Sequence, residues 1–385
     1  MNIGDSLARL DRYCKEARYQ GWDLFDGLNS RSFSGSFLYR FETARLAWIQ
    51  LFKWSPINLR KIASVPMGYN PKGLGLFASG LLARNRREEA RSLLNMLKGM
   101  TCDGFKGISW GYNFPWQARA FYVPLGTPNI VTTVFVANAF MDYYDLTKEE
   151  EYFNIAKGSC DFILHHMILM EDDQSLCLGY IPGEKARVHN ANMLGASLLA
   201  RMYSHTQDDM YLGKSMKAMS YSIRALTKEY FWPYGELSHH RFIDNFHTGF
   251  NLVSLKNWMD CAGDRRWEDE LRQAYHRFLA AFWLDNGCPK YYHDSLYPID
   301  IHNSAQGIVT CLKLVDYNKE SIPMAQKIAR WAIANMQAEK GYFYYQKSRW
   351  YKNKIPYIRW SQAWMFYGLS LLASKAQTRT NTFGS

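Results

Sequence analysis

The chain has 385 residues, of which 48% are hydrophobic, 16% aromatic and 21% charged, and it carries a formal net charge of +11. This composition excludes a disordered or low-complexity chain and supplies a large core. The positive balance favours anionic partners, but no basic arm, zinc-finger or homeodomain pattern concentrates it, which sets nucleic acid aside.

The aromatic excess lies in 26 Tyr and 13 Trp, whose flat apolar faces and polar tips suit both a core and a surface that stacks on sugar rings. The seven cysteines are odd in number and form no Cys-x-x-Cys pair, so neither a disulfide framework nor a structural zinc site is expected. Reduced thiols point to the cytoplasm. Residues 1–19 are polar and lack the apolar stretch of a signal peptide, and no run of about 18 apolar residues announces a membrane span.

In chain order, helices are predicted over 5–19 and 41–62, and then a repeat begins. Six segments are apolar, rich in Gly, Ala and Ser, and start on a polar group. They are KGLGLFASGLLA from Lys72, NIVTTVFVANAFMDYY from Asn129, NANMLGASLLARMY from Asn190, DNFHTGFNLVSLKNWM from Asp244, DIHNSAQGIVTCLKLV from Asp300 and RWSQAWMFYGLSLLA from Arg359. Their starts are separated by 57, 61, 54, 56 and 59 residues. Each of the first five is followed by an amphipathic helical segment, at 86–100, 148–167, 208–230, 265–283 and 321–337.

A helix apolar around most of its circumference must be buried on several sides, whereas one with a charged face lies outside. Six inner and six outer helices therefore predict an all-α (α/α)6 toroid, with residues 1–374 as its domain. The sixth outer place falls to one of the two N-terminal helices. Residues 375–385 are read as a flexible polar tail. The competing arrangement is an open α-solenoid, but solenoid repeats are commonly shorter, about 33–47 residues.

In a toroid the inner helices begin at one end, so the loops before them meet at a funnel mouth. Those loops carry Trp110, Tyr112, Trp116, Arg119, His189, Arg241, Tyr292 and Arg349, and the helix starts add Asn129, Asn190, Arg359, Trp360 and Gln362. Aromatic faces provide sugar platforms, and Arg grips carboxylates through a two-point fork. These residues are the candidates for binding an acidic saccharide. Candidate acid–base groups are Asp244 with His247 and Asp300 with His302, on neighbouring inner helices. N-capping is the alternative role for Asp244, Asp300 and Asn129. Glu184 and Glu236 are further loop carboxylates. No His-Glu-x-x-His, Walker A or Rossmann pattern occurs, so neither a metal nor a cofactor is expected.

Several stretches resemble bacterial exopolysaccharide-biosynthesis toroids of the Vibrio polysaccharide protein J type: GWDLFDGLNS at Gly21, DNFHTGFNLVSL at Asp244, PIDIHNSAQGI at Pro298 and GYFYYQKSRWYKNKIPYIRWSQAWM at Gly341. The resemblance implies a role in making an extracellular or capsular polysaccharide, beside glycosyltransferases. The architecture is more distantly similar to glucuronyl C5-epimerases, N-acylglucosamine 2-epimerases and unsaturated glucuronyl hydrolases. Three functions follow as expectations: an enzyme that epimerises a uronic acid, a glycoside hydrolase or lyase acting through two carboxylates, and a glycan-binding scaffold.

Overall fold

The computed structural model describes residues 2–117 and 122–382, with side chains through Lys375. Its helices, in chain order, are α1 (Ile3–Glu16), the single turn α2 (Arg31–Ser34), α3 (Glu42–Trp54), α4 (Pro71–Ala83) and α5 (Arg87–Lys98). There follow α6 (Ile130–Thr147), α7 (Glu150–His166), α8 (His189–Thr206), α9 (Asp209–Ile223) and α10 (Asn245–Ala262). Last come α11 (Glu268–Ala281), α12 (Ile301–Lys313), α13 (Ser321–Met336) and α14 (Trp364–Thr382). The strands are short hairpin pieces in the loops.

Helices α4, α6, α8, α10, α12 and α14 each pack on the next, and α14 packs back on α4. The inner ring is thus closed, and the fold is an (α/α)6 toroid. Burial follows the predicted division. In α8 every residue from His189 to Ala200 is buried, whereas α11 buries only Leu271, Ala274, Tyr275 and Phe278 on one face. Small residues permit the close approach of inner helices. A Cβ on Gly249 of α10 would stand 2.8 Å from Gln306 and Thr310 of α12.

Of the two N-terminal candidates, α1 takes the sixth outer place, packing on α13 and α14 through Leu7, Leu10 and Cys14. Gln337 fastens it, accepting from Ser6 Oγ at 2.8 Å. The other candidate, α3, lies elsewhere: with Phe33 and Leu28 it forms a separate small apolar cluster beside the loops. The last helix runs on to Thr382, past the predicted end of the sixth inner segment near Ala373; residues 383–385 lie outside the described residues.

A recurring backbone bond ties the ring together at its loop end. The first N–H of each inner helix has no intrahelical acceptor. In four of them it donates to a tyrosine carbonyl of the next loop: Ile130 to Tyr180, His189 to Tyr234, Asn245 to Tyr291 and Ile301 to Tyr345, at 2.9–3.1 Å. Ile358 donates to Trp22 in the N-terminal segment at 3.0 Å, which carries the pattern across the chain ends. These bonds fix the loop tyrosines Tyr180, Tyr234 and Tyr291 over the starts of the inner helices, while Tyr345 packs on Tyr357.

Candidate functional site: an aromatic cavity at the ring mouth

The loop end encloses a cavity of about 480 Å³. Its wall takes aromatics from several loops, including Tyr112 and Trp116 from one and Tyr180, Tyr234 and Tyr291 from three others, and its floor takes Phe246, Phe250, His302 and Lys72 from the inner helices. Burial holds the phenols of Tyr180, Tyr234 and Tyr291 above their usual range, so they are protonated hydrogen-bond donors. Tyr112 and Tyr180 meet through their hydroxyls at 3.1 Å.

His247 has the geometry of an oriented base. Asp244 caps α10 by accepting the His247 backbone N–H at 2.9 Å, and its second oxygen lies 2.7 Å from Nδ1 of the same imidazole. The carboxylate is buried while the imidazole is partly open on the cavity wall. A proton on Nδ1 shared with the carboxylate leaves Nε2 as the free, basic nitrogen. Tyr234 and Phe246 pack on the two sides of the ring, at centroid distances of 4.6 and 4.0 Å.

His302 is different. It is buried against Phe246, Trp360 and Trp364, with ring centroids 4.5–4.7 Å away. Neither ring nitrogen meets a hydrogen-bond partner of normal geometry, and the Trp360 backbone provides only a weak polar contact. Burial, then the charges of Lys72, Arg359 and His247, push its pKa well below the usual imidazole range. It is a neutral imidazole on the cavity floor.

Lys72, the second residue of α4, places its amine among the rings of Phe135, Phe250 and Trp364, 4.4–5.2 Å from their centroids. No acidic group lies within salt-bridge distance among the described residues. Burial, then repulsion from Arg359, lowers its pKa well below the lysine range, while Asp23 opposes the shift. Arg359 is also on the wall, but its fork is occupied by Asp23 at 2.6 and 2.7 Å, and its face lies over Tyr112. It enters from a π-helical turn, Ile358–Ala363, that opens the sixth inner helix. Such wider turns recur at functional sites.

The cavity therefore gathers His247, His302, Tyr112, Trp116, Asn190, Arg359 and Trp360 from the predicted set, with Asp244 behind His247. The remaining candidates stand elsewhere. Asp300 is fully buried and caps α12; Trp360 Nε1 and Gln346 Nε2 donate to its oxygens at 3.0 and 3.3 Å. Burial raises its carboxyl to about 7. Trp110 is in the core, bonded to the Leu97 carbonyl. Asn129 caps α6, and Gln362 is held in both directions by the Phe343 backbone. His189 turns outward to Ser222, and burial lowers it to about 4. Tyr292 gives its backbone to Asp244, and its neighbour Tyr291 faces the cavity instead. Arg241 and Arg349 are exposed away from the wall, and Arg119 lies outside the described residues.

Sequence reasoning missed Lys72 as a site residue, whereas Tyr180, Tyr234, Tyr291, His239 and His240 fall in the predicted mouth loops and line the cavity. For the tyrosines a signal exists: Tyr180, Tyr234 and Tyr291 each precede an inner helix start, at His189, Asp244 and Asp300, by nine or ten residues. Among the described residues no carboxylate lines the cavity. Glu184 bonds the Ala186 backbone, and Glu236 pairs with Arg187 outside. No group of three or more His, Cys, Asp or Glu among the described residues is placed to hold a metal ion.

No protein-family model and no curated protein matches the sequence. Solved structures do match. A cellobiose 2-epimerase from Bacillus thermoamylovorans superposes with a TM-score of 0.62 at 12% identity, over 81% of this chain and 90% of that one. A GH76 α-mannanase from Bacteroides thetaiotaomicron gives 0.61 at 12% identity, over 80% and 86%. A sugar epimerase from a ruminal bacterium gives 0.62 at 9% identity, over 81% and 90%. At these identities the likeness establishes a shared fold.

Proposed function

We propose that this protein epimerises a sugar by removing a proton from a carbon next to a carboxylate or carbonyl and returning one. The observation that carries this reading is the pairing of two unlike histidines, His247 and His302, across Phe246 in a cavity without a carboxylate. His247, oriented by Asp244, takes the proton at Nε2; the carboxylate stabilises the imidazolium that results. Neutral His302 carries an N–H that it can deliver to the intermediate, as a neutral imidazole does when its pKa is held low; the His247 imidazolium then releases its proton to solvent and His302 regains one from solvent, which closes the cycle. The electron pair moves onto the substrate oxygen, where the Lys72 amine and the buried phenols stabilise the negative charge in a water-poor site.

Lys72 also supports an acidic substrate. Its enclosed amine has no acidic partner among the described residues, and a bound carboxylate would raise its pKa and favour its protonated form. Arg359 cannot serve the same purpose while Asp23 fills its fork. A hydrolytic route through paired carboxylates has no support from the wall. The likeness to an epimerase fold and the resemblance to exopolysaccharide toroids support a place in polysaccharide assembly, beside glycosyltransferases. The seven free thiols support a cytoplasmic setting.

Proton NMR in deuterium oxide tests the reading. Uronate-terminated oligosaccharides should gain solvent deuterium at the carbon beside the carboxylate. Exchange confined to neutral reducing sugars would remove the acidic substrate and keep the chemistry. Absence of exchange with both classes would overturn the epimerase.

A further inference from the structure

Helix α3 is apolar on two faces. Trp48, Ile49 and Phe52 turn inward, where Trp48 stacks on Phe33 at 4.5 Å. On the outward face Ala47, Leu51 and Trp54 follow one another at helical spacing, all exposed. The patch continues on both sides. Phe37 and Phe41 meet edge to face just before α3, and exposed Ile57 follows it. Beyond, Tyr351 donates to the Trp54 carbonyl at 3.2 Å and brings Trp350 alongside. Trp54 is 66% exposed and Trp350 84%.

The charge around this patch is predominantly positive, with Glu42 at the start of α3 an exposed exception. Arg31, Arg40, Lys61, Arg349 and Lys354 are exposed, and none has an acidic partner within salt-bridge distance among the described residues. Arg40 and Arg349 lie over the rings of Phe37 and Trp350 instead. Elsewhere some cations are paired, Arg265 with Asp260, Arg266 with Asp264 and Lys214 with Glu171, while Lys157 of α7 and Lys327 of α13 are exposed without a salt bridge among the described residues; what sets the α3 face apart is the exposed rings between its cations. Exposed Trp and Tyr interleaved with unpaired Arg and Lys match the chemistry of an anionic lipid interface, where rings enter the headgroup layer and cations meet phosphate.

The patch adjoins the cavity mouth. Lys53 of α3 places its amine 5.6 Å from the ring of Phe25 on the cavity wall, and Trp116 of that wall packs on the cluster beneath α3. No helix among the described residues is long and apolar enough to cross a membrane, so attachment would be at the surface.

We propose that α3 and the Trp350 loop form a docking face for an anionic membrane surface, which points the cavity mouth at the lipid. A glycan carried on a lipid anchor would then reach the cavity without leaving the bilayer.

The test is cosedimentation of the full chain with vesicles of phosphatidylcholine alone and with added phosphatidylglycerol. Binding is expected to the anionic vesicles only, and to weaken as salt rises. The double variant Trp54→Ser with Trp350→Ser should bind about tenfold more weakly, from the loss of two interfacial rings. Charge reversal, Arg40→Glu with Arg349→Glu, should do the same through a different term, so a fold defect in one pair does not leave the matter open. His247→Ala should bind as the parent does, which separates this proposal from the epimerase reading. No binding, or equal binding to neutral vesicles, would overturn it. So would a solution dimer that Trp54→Ser with Trp350→Ser converts to a monomer, because a second copy would then cover the face.

Discussion

Helices α10 and α12 begin alike in sequence, with an aspartate cap and a histidine within one turn, yet the two pairs do different work. At α10 the aspartate turns back onto its own histidine and holds Nδ1 at 2.7 Å, so the imidazole is fixed and its other nitrogen faces the cavity. At α12 the aspartate turns away to Trp360 and Gln346, and its histidine is left among aromatic rings without a firm partner. The spacing explains part of this. His247 is three residues beyond its cap and returns to the same face of the helix, whereas His302 is two beyond and does not. One motif thus yields an oriented imidazole and a buried neutral one, which the proposed reaction would use as base and acid.

The sharpest way to break this contrast is to remove the base. His247→Ala should lower kcat about a thousandfold, within the range for a general base, with little change in melting temperature. Asp244→Asn should cost less, about a hundredfold, because it keeps an N-cap acceptor but loses the charge that orients the ring.

At the other pair, His302→Phe should cost kcat about a hundredfold while the melting temperature holds or rises, since unpaired nitrogens leave the core. Full turnover with raised stability would make His302 a packing residue and dissolve the pairing of unlike histidines. Lys72→Met should raise KM for an acidic substrate about tenfold and stabilise the fold by roughly 1 kcal/mol, because a buried amine without an anion is lost.

Asp300→Asn should have the smallest effect on catalysis, within a few-fold, because Trp360 stands between the carboxylate and the cavity. Its signature lies in stability against pH. Burial raises the carboxyl to about 7, above the roughly 3.9 of an unfolded aspartate, so the folded state binds the proton more tightly. That contribution is complete below about pH 4 and is lost as pH rises through about 7. Thermal melts of Asp300→Asn should therefore be flatter across that window and no lower than the parent at pH 8. A steeper curve would show that the carboxylate is ionised in the folded protein.

The double ring was legible because burial leaves a periodic trace. An inner helix such as α8 is enclosed on all sides and must be apolar throughout, and an outer helix such as α11 must keep a charged face; these demands recur with each hairpin. The aromatic and histidine-bearing loops were legible for the same reason, since ring closure brings one end of every inner helix together. Sequence alone left the choice between α1 and α3 for the last outer place open, because both have an apolar stripe.

What each side chain does at the mouth was decided only by tertiary structure. Tyr291 and Tyr292 are adjacent and identical in type, and the bond from Asn245 to the Tyr291 carbonyl sets which one faces the axis. Arg359 had the composition of a carboxylate grip, but Asp23, 336 residues away in the chain, already fills its fork. Lys72 looked like an ordinary polar helix start, and only the convergence of Phe135, Phe250 and Trp364 from three other inner helices makes it an enclosed amine. Helix periodicity is a local property that sequence records directly. The orientation, pairing and charge state of a buried group depend on residues distant in the chain, and these meet only when the ring closes.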